Sequence, residues 1–217
     1  MSVLLVRRAR RAGARGQSLV EFSLIVPLFL LILFGMMEFG FIFSHDLTIE
    51  YATREGARAG AALANGGGTL GCGAGQSPNS TTVDPLIIAA VERVLQSPGS
   101  QVVAAHVSQI VIYKANPTTG ADDQGPRNVW TYSPGNGPIP QGSTSPLNFV
   151  SASVGWQACS RNNGPSGTNP PDSLGVSVTY TYDFVTPLAS ILGFFGGGTP
   201  SLTVTDRTVM QLNPTAS

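Results

Sequence analysis

From Phe22 to Phe43 the chain is apolar with a single charged interruption, Glu38. As an α-helix rising ~1.5 Å per residue, this run spans about 33 Å, enough to cross a hydrocarbon core of ~30 Å. A run of this length sets the architecture: an anchor comes first, and whatever else folds is attached to one end of it. Five of the twelve basic residues (Arg7, Arg8, Arg10, Arg11 and Arg15) precede the run, and no acid accompanies them. Arginines beside one end of a span stay on the cytoplasmic side, so everything after residue 45 is expected outside. A secretory signal peptide is the alternative. The run is longer than the usual apolar region of ~7–15 residues, and no small-x-small cleavage site follows it. Instead "MMEFGFIFSHDLTIEYATREGARAGAALA" continues as helix.

The formal net charge of zero conceals an asymmetry. Beyond Gly16 the chain holds seven basic and twelve acidic residues, so a basic leader precedes a mildly acidic body. Such a leader can bind nucleic acid, but these arginines directly abut the apolar run. That context assigns them to the membrane and gives no nucleic-acid partner.

Glu21 stands where the arginines give way to the apolar run. An unpaired carboxylate within a span costs about 2.5–3.5 kcal/mol on insertion scales. A cut between Gly16 and Gln17 would create an α-ammonium on Gln17 and make Glu21 the fifth residue of the new chain. In a packed bundle that amine would offset the Glu21 of a neighbouring helix. The alternative is a carboxylate that snorkels to the interface. Glu38 lies about 26 Å further along the helix at ~1.5 Å per residue, near the outer boundary, and is expected to reach water.

The arrangement Gly16-Gln17-Ser18-Leu19-Val20-Glu21-Phe22 resembles the class III signal of type IV pilins. There a basic leader ends in Gly, a membrane peptidase cuts on the cytoplasmic side, and the fifth mature residue is Glu. Residues 7–63 more specifically resemble the TadE-like family, minor pseudopilins of the tight-adherence (Flp, type IVc) pilus. The residues that carry the likeness are Gly16, Val20, Glu21, Phe22, Pro27, Glu38, and Ala52 with Arg54 to Arg58. "VSVTYTYDFVTPL" is similar to the family's late strand. The resemblance implies processing at Gly16 and Gln17, subunit docking through Glu21, and no catalytic, cofactor-binding or metal role. The implied partners are other pilins and pseudopilins, a prepilin peptidase, and the inner-membrane assembly platform. The implied location is the bacterial cytoplasmic membrane, crossed once, with the N-terminus inside and entry into a pilus as a further step. Pilins usually present Phe at the mature N-terminus for N-methylation, whereas this chain would present Gln17.

Beyond the span, Asp46, Glu50, Arg54 and Arg58 recur at i+4, with Glu50 and Glu55 placed to pair with Arg54 and Arg58 for ~0.2–0.5 kcal/mol each. Ala52, Gly56 and Gly60 form a stripe of small residues where another backbone could approach closely, with packing on the chain's own globular part the favoured expectation. Residues 64–82 are rich in Gly, Ser and Asn and read as a flexible loop. "DPLIIAAVERVLQSPG" reads as a helix with Asp84 as N-cap, Pro85 at its first position and Pro98-Gly99 as its stop. Its face of Ile87, Ile88, Val91, Val94 and Leu95 would cover a sheet.

Strand alternation is clear in "VSVTYTYDF", where Val176, Val178, Tyr180, Tyr182 and Phe184 share one side. Val150, Ala152, Val154 and Trp156 repeat it. Residues 102–114 are apolar on both parities at "IVIY" and suggest a central strand, and Leu202 to Leu212 a weaker last one. Four strands and their helices predict an α+β class: a long membrane-spanning helix at 17–63, then an extracytoplasmic antiparallel sheet packed on helices at 83–217. Residues 115–146 are expected to be a long loop, with at most a short hairpin at Val129 to Tyr132.

No catalytic constellation emerges. His45 and His106 are far apart, no cysteine pair has zinc spacing, "DDQG" at 122–125 is too short for a calcium loop, and the Gly-rich runs lack a phosphate-cradle Lys. The expectation is a non-enzyme without cofactor or metal. Cys72 and Cys159, both on the external side, are expected to form a disulfide in an oxidising compartment. Two functions from different classes remain: a pilus-assembly subunit, or a permanently anchored extracytoplasmic binding or sensor domain without a filament role.

Overall fold

A computed structural model describes residues 12–63, 80–122, 125–162, 170–196 and 200–212. The leader up to residue 11, positions 64–79 of the expected loop, and Cys72 lie outside the described residues. The chain forms two compact units, Met1–Phe41 with Phe184–Pro200, and Ile42–Asp183 with Ser201–Ser217.

Helix α1 runs over Ala12–Leu63, 52 residues, or about 78 Å at ~1.5 Å per residue. Pro27 lies inside it without ending it; its missing N–H leaves one carbonyl of the preceding turn without its helical donor. Within the first unit the helix is apolar all round, with Leu19, Phe22, Leu24, Leu28, Phe29 and Met36 all exposed. A helix of that kind suits lipid or other helices rather than water. It is long and apolar enough to cross a membrane, and its most apolar window is unburied. The first unit also holds helix α3, Leu188–Gly196, which the alternation reading of "VSVTYTYDF" passed over. Its start is legible as Thr186-Pro187 ahead of an apolar stretch, and glycines follow it.

The second unit is a five-stranded antiparallel sheet with helices on one face. Its strands are β1 (Val107–Ala115), β2 (Arg127–Tyr132), β3 (Phe149–Val154), β4 (Ser173–Asp183) and β5 (Ser201–Gln211). Their spatial order is β3-β2-β1-β4-β5. The α+β expectation is met, with one strand more than the sequence suggested. The extra strand is β2, so 115–146 is not one loop: "RNVWTY" pairs with β1 on one side and β3 on the other.

β1 is central, as its double apolar parity requires. Ile110 and Ile112 are buried on the helix-covered face, while Val111, Tyr113 and Ala115 form a smaller core on the other with Val129 and Val209. Tyr113 lies opposite Gly175 in the register. A side chain at 175 would run into the Tyr113 ring, so the glycine is the flat seat for that ring. Burial also raises the pKa of Tyr113. β4 behaves as its alternation demands, with Val176, Val178, Tyr180 and Tyr182 buried.

β3 departs from expectation. It is an outermost strand and its ladder shifts register near Val129 and Trp130. Residues 151–154 are all exposed, and the buried residues are Phe149 at its start and Trp156 beyond its end. With a neighbour on one side only, its alternation does not translate into a covered face.

Helix α2 spans Ser80–Leu95 and buries Ile87, Ile88, Val91 and Leu95. It begins a turn earlier than its punctuation suggests, so Asp84 is not the N-cap and Pro85 falls inside the helix. The Asp84 carboxylate is drawn away by distant partners: Arg161 Nη2 donates to Oδ1 at 2.6 Å and Asn128 Nδ2 donates to Oδ2 at 2.6 Å. Asn128 Nδ2 also donates to the Trp156 carbonyl (2.7 Å), and its Oδ1 accepts from the Trp156 N–H (2.7 Å). The Arg161 guanidinium lies 4.7 Å from the centre of the Trp156 ring, within cation–π range.

The stripe of small residues on α1 packs on this unit, as expected. A Cβ on Gly56 would come within 2.6 Å of Val91 Cγ2, and one on Gly60 within 2.9 Å of Leu174 Cδ2. Thr53, fully buried, sets its hydroxyl 3.0 Å from the Asp206 carboxylate and 2.9 Å from the Thr208 hydroxyl on β5. The opposite side of α1 carries the charges: Arg54 pairs with Glu50, and Arg58 with Glu55 at 2.7 Å. The Arg58 hydrogen bond lowers the Glu55 pKa. The small stabilisation it brings is therefore fully present above the ordinary carboxylate range and lost as pH falls from there through the lowered value.

Cys159 is buried in the turn Ala158–Ser160. A bridge to Cys72 would stabilise by about 4–5 kcal/mol on the chain-entropy account. Thiol labelling of the denatured, unreduced chain is expected to find no free thiol; two per chain would refute the bridge.

Candidate processing and docking site

Gly16, Gln17 and Glu21 lie on consecutive turns of α1, all exposed. Helical spacing places Gln17 one turn before Glu21, and Gln17 Nε2 donates to Glu21 Oε1 at 3.0 Å. One carboxylate oxygen is thus engaged within the chain, while the exposed group keeps acceptor capacity for a cation brought by another helix. Among the described residues, nothing comes within 4 Å of where a Gly16 side chain would sit. Gly16 is helical, so a protease needs local unwinding there. Gly13 and Gly16 make that easier, since each disfavours helix by ~1 kcal/mol relative to Ala. One turn further, Ser23 Oγ donates to the Val20 carbonyl at 2.8 Å.

Glu38 is not where the sequence suggested. It is 2 % exposed, and it does not reach water. Its Oε1 accepts from the Val185 N–H and its Oε2 from the Thr186 N–H, both at 3.0 Å. These amides precede α3, so the carboxylate faces the positive end of a helix dipole as well as two donors. A buried charge is tolerable on such terms. No local pattern announces the pairing, because its partners are backbone groups 147 and 148 residues away.

Both histidines belong to the second unit. His45 is buried, stacked on Tyr180 (5.6 Å) and edge-on to Tyr182 (5.1 Å). His106 ends the turn before β1, its Nδ1 3.6 Å from Asp183 Oδ2.

The family model described as TadE-like protein matches residues 16–58. This segment is TadE-like. The match begins at Gly16 and ends at Arg58, so it takes in Glu21, Pro27, Glu38 and the Ala52–Arg58 stretch. The leader arginines and the β4 sequence, which also carried a resemblance, fall outside it. Comparison with curated proteins and with solved structures finds no match. The TadE-like segment thus holds both buried and exposed carboxylates of the apolar helix, one at each end of the span.

For Glu21, the expected result of Glu21→Gln is unchanged membrane insertion with weakened association. Losing one partner of a dry ion pair costs about 3–5 kcal/mol, so co-purification of neighbouring subunits from membranes should fall sharply at equal expression. Equal recovery of wild type and variant would identify Glu21 as a snorkelling residue.

Proposed function

We propose that the chain is a minor pseudopilin of a tight-adherence (Flp/type IVc) pilus, a non-enzymatic subunit held in the bacterial cytoplasmic membrane by α1. In this reading its N-terminus is cytoplasmic and its sheet unit extracytoplasmic. A prepilin peptidase removes the leader after Gly16. The freed Gln17 amine and Glu21 then pair between neighbouring helices in a bundle of pilins and pseudopilins on the assembly platform. The observation that supports this most is the TadE-like match beginning at Gly16, with Glu21 exposed at the head of an apolar helix. N-terminal sequencing of protein from cells that contain the peptidase is expected to read Gln-Ser-Leu-Val-Glu. Recovery of full-length chains alone would overturn the processed subunit and leave a permanently anchored extracytoplasmic domain.

A further inference from the structure

Residues 184–200 contain no charged side chain, yet part of this stretch is open. Val185 is 73 % exposed and Phe194 is 85 % exposed. Pro187, Ser190 and Phe194, spaced i, i+3 and i+7 at the start and along the length of α3, are all exposed. A large aromatic on a short apolar helix is an odd thing to leave in water. The depth of the helix suggests what covers it. Glu38 holds the Val185 and Thr186 amides, and Glu38 lies 16 positions after Phe22, where the apolar run begins. At ~1.5 Å per residue this is about 24 Å along the run, in the outer part of a hydrocarbon core of ~30 Å. The tie therefore sets α3 in the outer part of the same span.

We propose that α3 is a second membrane contact: a short interfacial helix seated in the outer-leaflet headgroup and acyl boundary, with Phe194 inserted among lipid chains and Glu38 fixing its depth. The inference rests on α1 crossing the membrane. Aromatic and aliphatic side chains beside small polar ones suit that boundary, where one end of a group is dry and the other wet. The absence of charge on residues 184–200 agrees with lipid and gives no basis for pairing with a charged surface. The Glu38 carboxylate, close to the same boundary, is kept from lipid by its two backbone donors, which removes the cost an unpaired acid would carry there.

The test places the photoreactive residue p-benzoylphenylalanine at Phe194, or at Phe29 in mid-span as the anchor control. The full chain is purified and reconstituted in vesicles of phosphatidylethanolamine and phosphatidylglycerol. Phe194 is exposed, which leaves room for the larger benzophenone ring. After illumination, intact mass is expected to show a gain of one phospholipid at both positions. Lipid capture at Phe29 with none at Phe194, or with chain-to-chain products at Phe194, overturns the interfacial helix and leaves the anchor standing. No lipid capture at Phe29 overturns the anchor and the inference with it.

Discussion

Replacing Arg161 by Ala is expected to cost the sheet unit about 3–5 kcal/mol, the range for removing one member of a buried ion pair. Arg161 is 1 % exposed and its partner Asp84 is 7 % exposed. The loss leaves the Asp84 carboxylate with Asn128, at 2.6 Å, as its remaining side-chain donor among the described residues, and a buried charge held by one neutral donor is poorly compensated. Small domains are stable by ~5–15 kcal/mol, so the variant should sit close to unfolding. A double replacement, Arg161→Met with Asp84→Asn, removes both charges and should recover a large part of the loss. Urea unfolding followed by the fluorescence of Trp130 and Trp156 checks it. A midpoint for Arg161→Ala within error of the wild type would show that the pair contributes nothing.

Gly56→Leu is expected to prevent α1 from seating on its sheet. Even a methyl group at 56 meets Val91 Cγ2 at 2.6 Å and Val176 Cγ1 at 3.3 Å. Both obstacles are branched side chains fixed in a core, one from α2 and one from β4. Overpacking a tight site by a few methylenes costs about 1–3 kcal/mol, occasionally more. Leu adds more bulk than that, and Gly56→Ala should fall near the lower figure because Ala recovers some helix propensity. Limited proteolysis within 42–63 reads the outcome: rapid cleavage of the Leu variant and slow cleavage of the Ala variant. Equal resistance in Gly56→Leu and wild type would mean that the helix is not packed there.

What could be read from the residues and what could not differ in range. α1, the covering face of α2, central β1 and alternating β4 are announced by local periodicity, which is a property of a dozen neighbours. The small stripe at Ala52, Gly56 and Gly60 also signalled close packing before its partners Val91 and Leu174 were known. β2 was hidden because its six residues sit between Pro- and Gly-rich stretches, and a strand that short is too brief to display a period. The alternation of β3 was misread because it reports a covered face only where something covers it. Asp84 looked like a helix cap because the cap rule is local, while the partners that claim it, Asn128 and Arg161, are 44 and 77 residues distant. At the proposed processing site, Gly16, Gln17 and Glu21 were singled out by their spacing and by the family resemblance. The proposed partner of Glu21 belongs to another chain, and no single sequence displays it.

Because Glu38 is held by backbone amides, it places unequal demands on the positions it joins. Any residue except proline supplies an N–H, so positions 185 and 186 are free to change their side chains under that contact. Position 38 has no such freedom. Asp falls one methylene short, and Gln offers a single acceptor oxygen and turns an NH2 group toward the second donor. Across divergent sequences that keep α3, variation should therefore gather at 185 and 186 while position 38 stays glutamate.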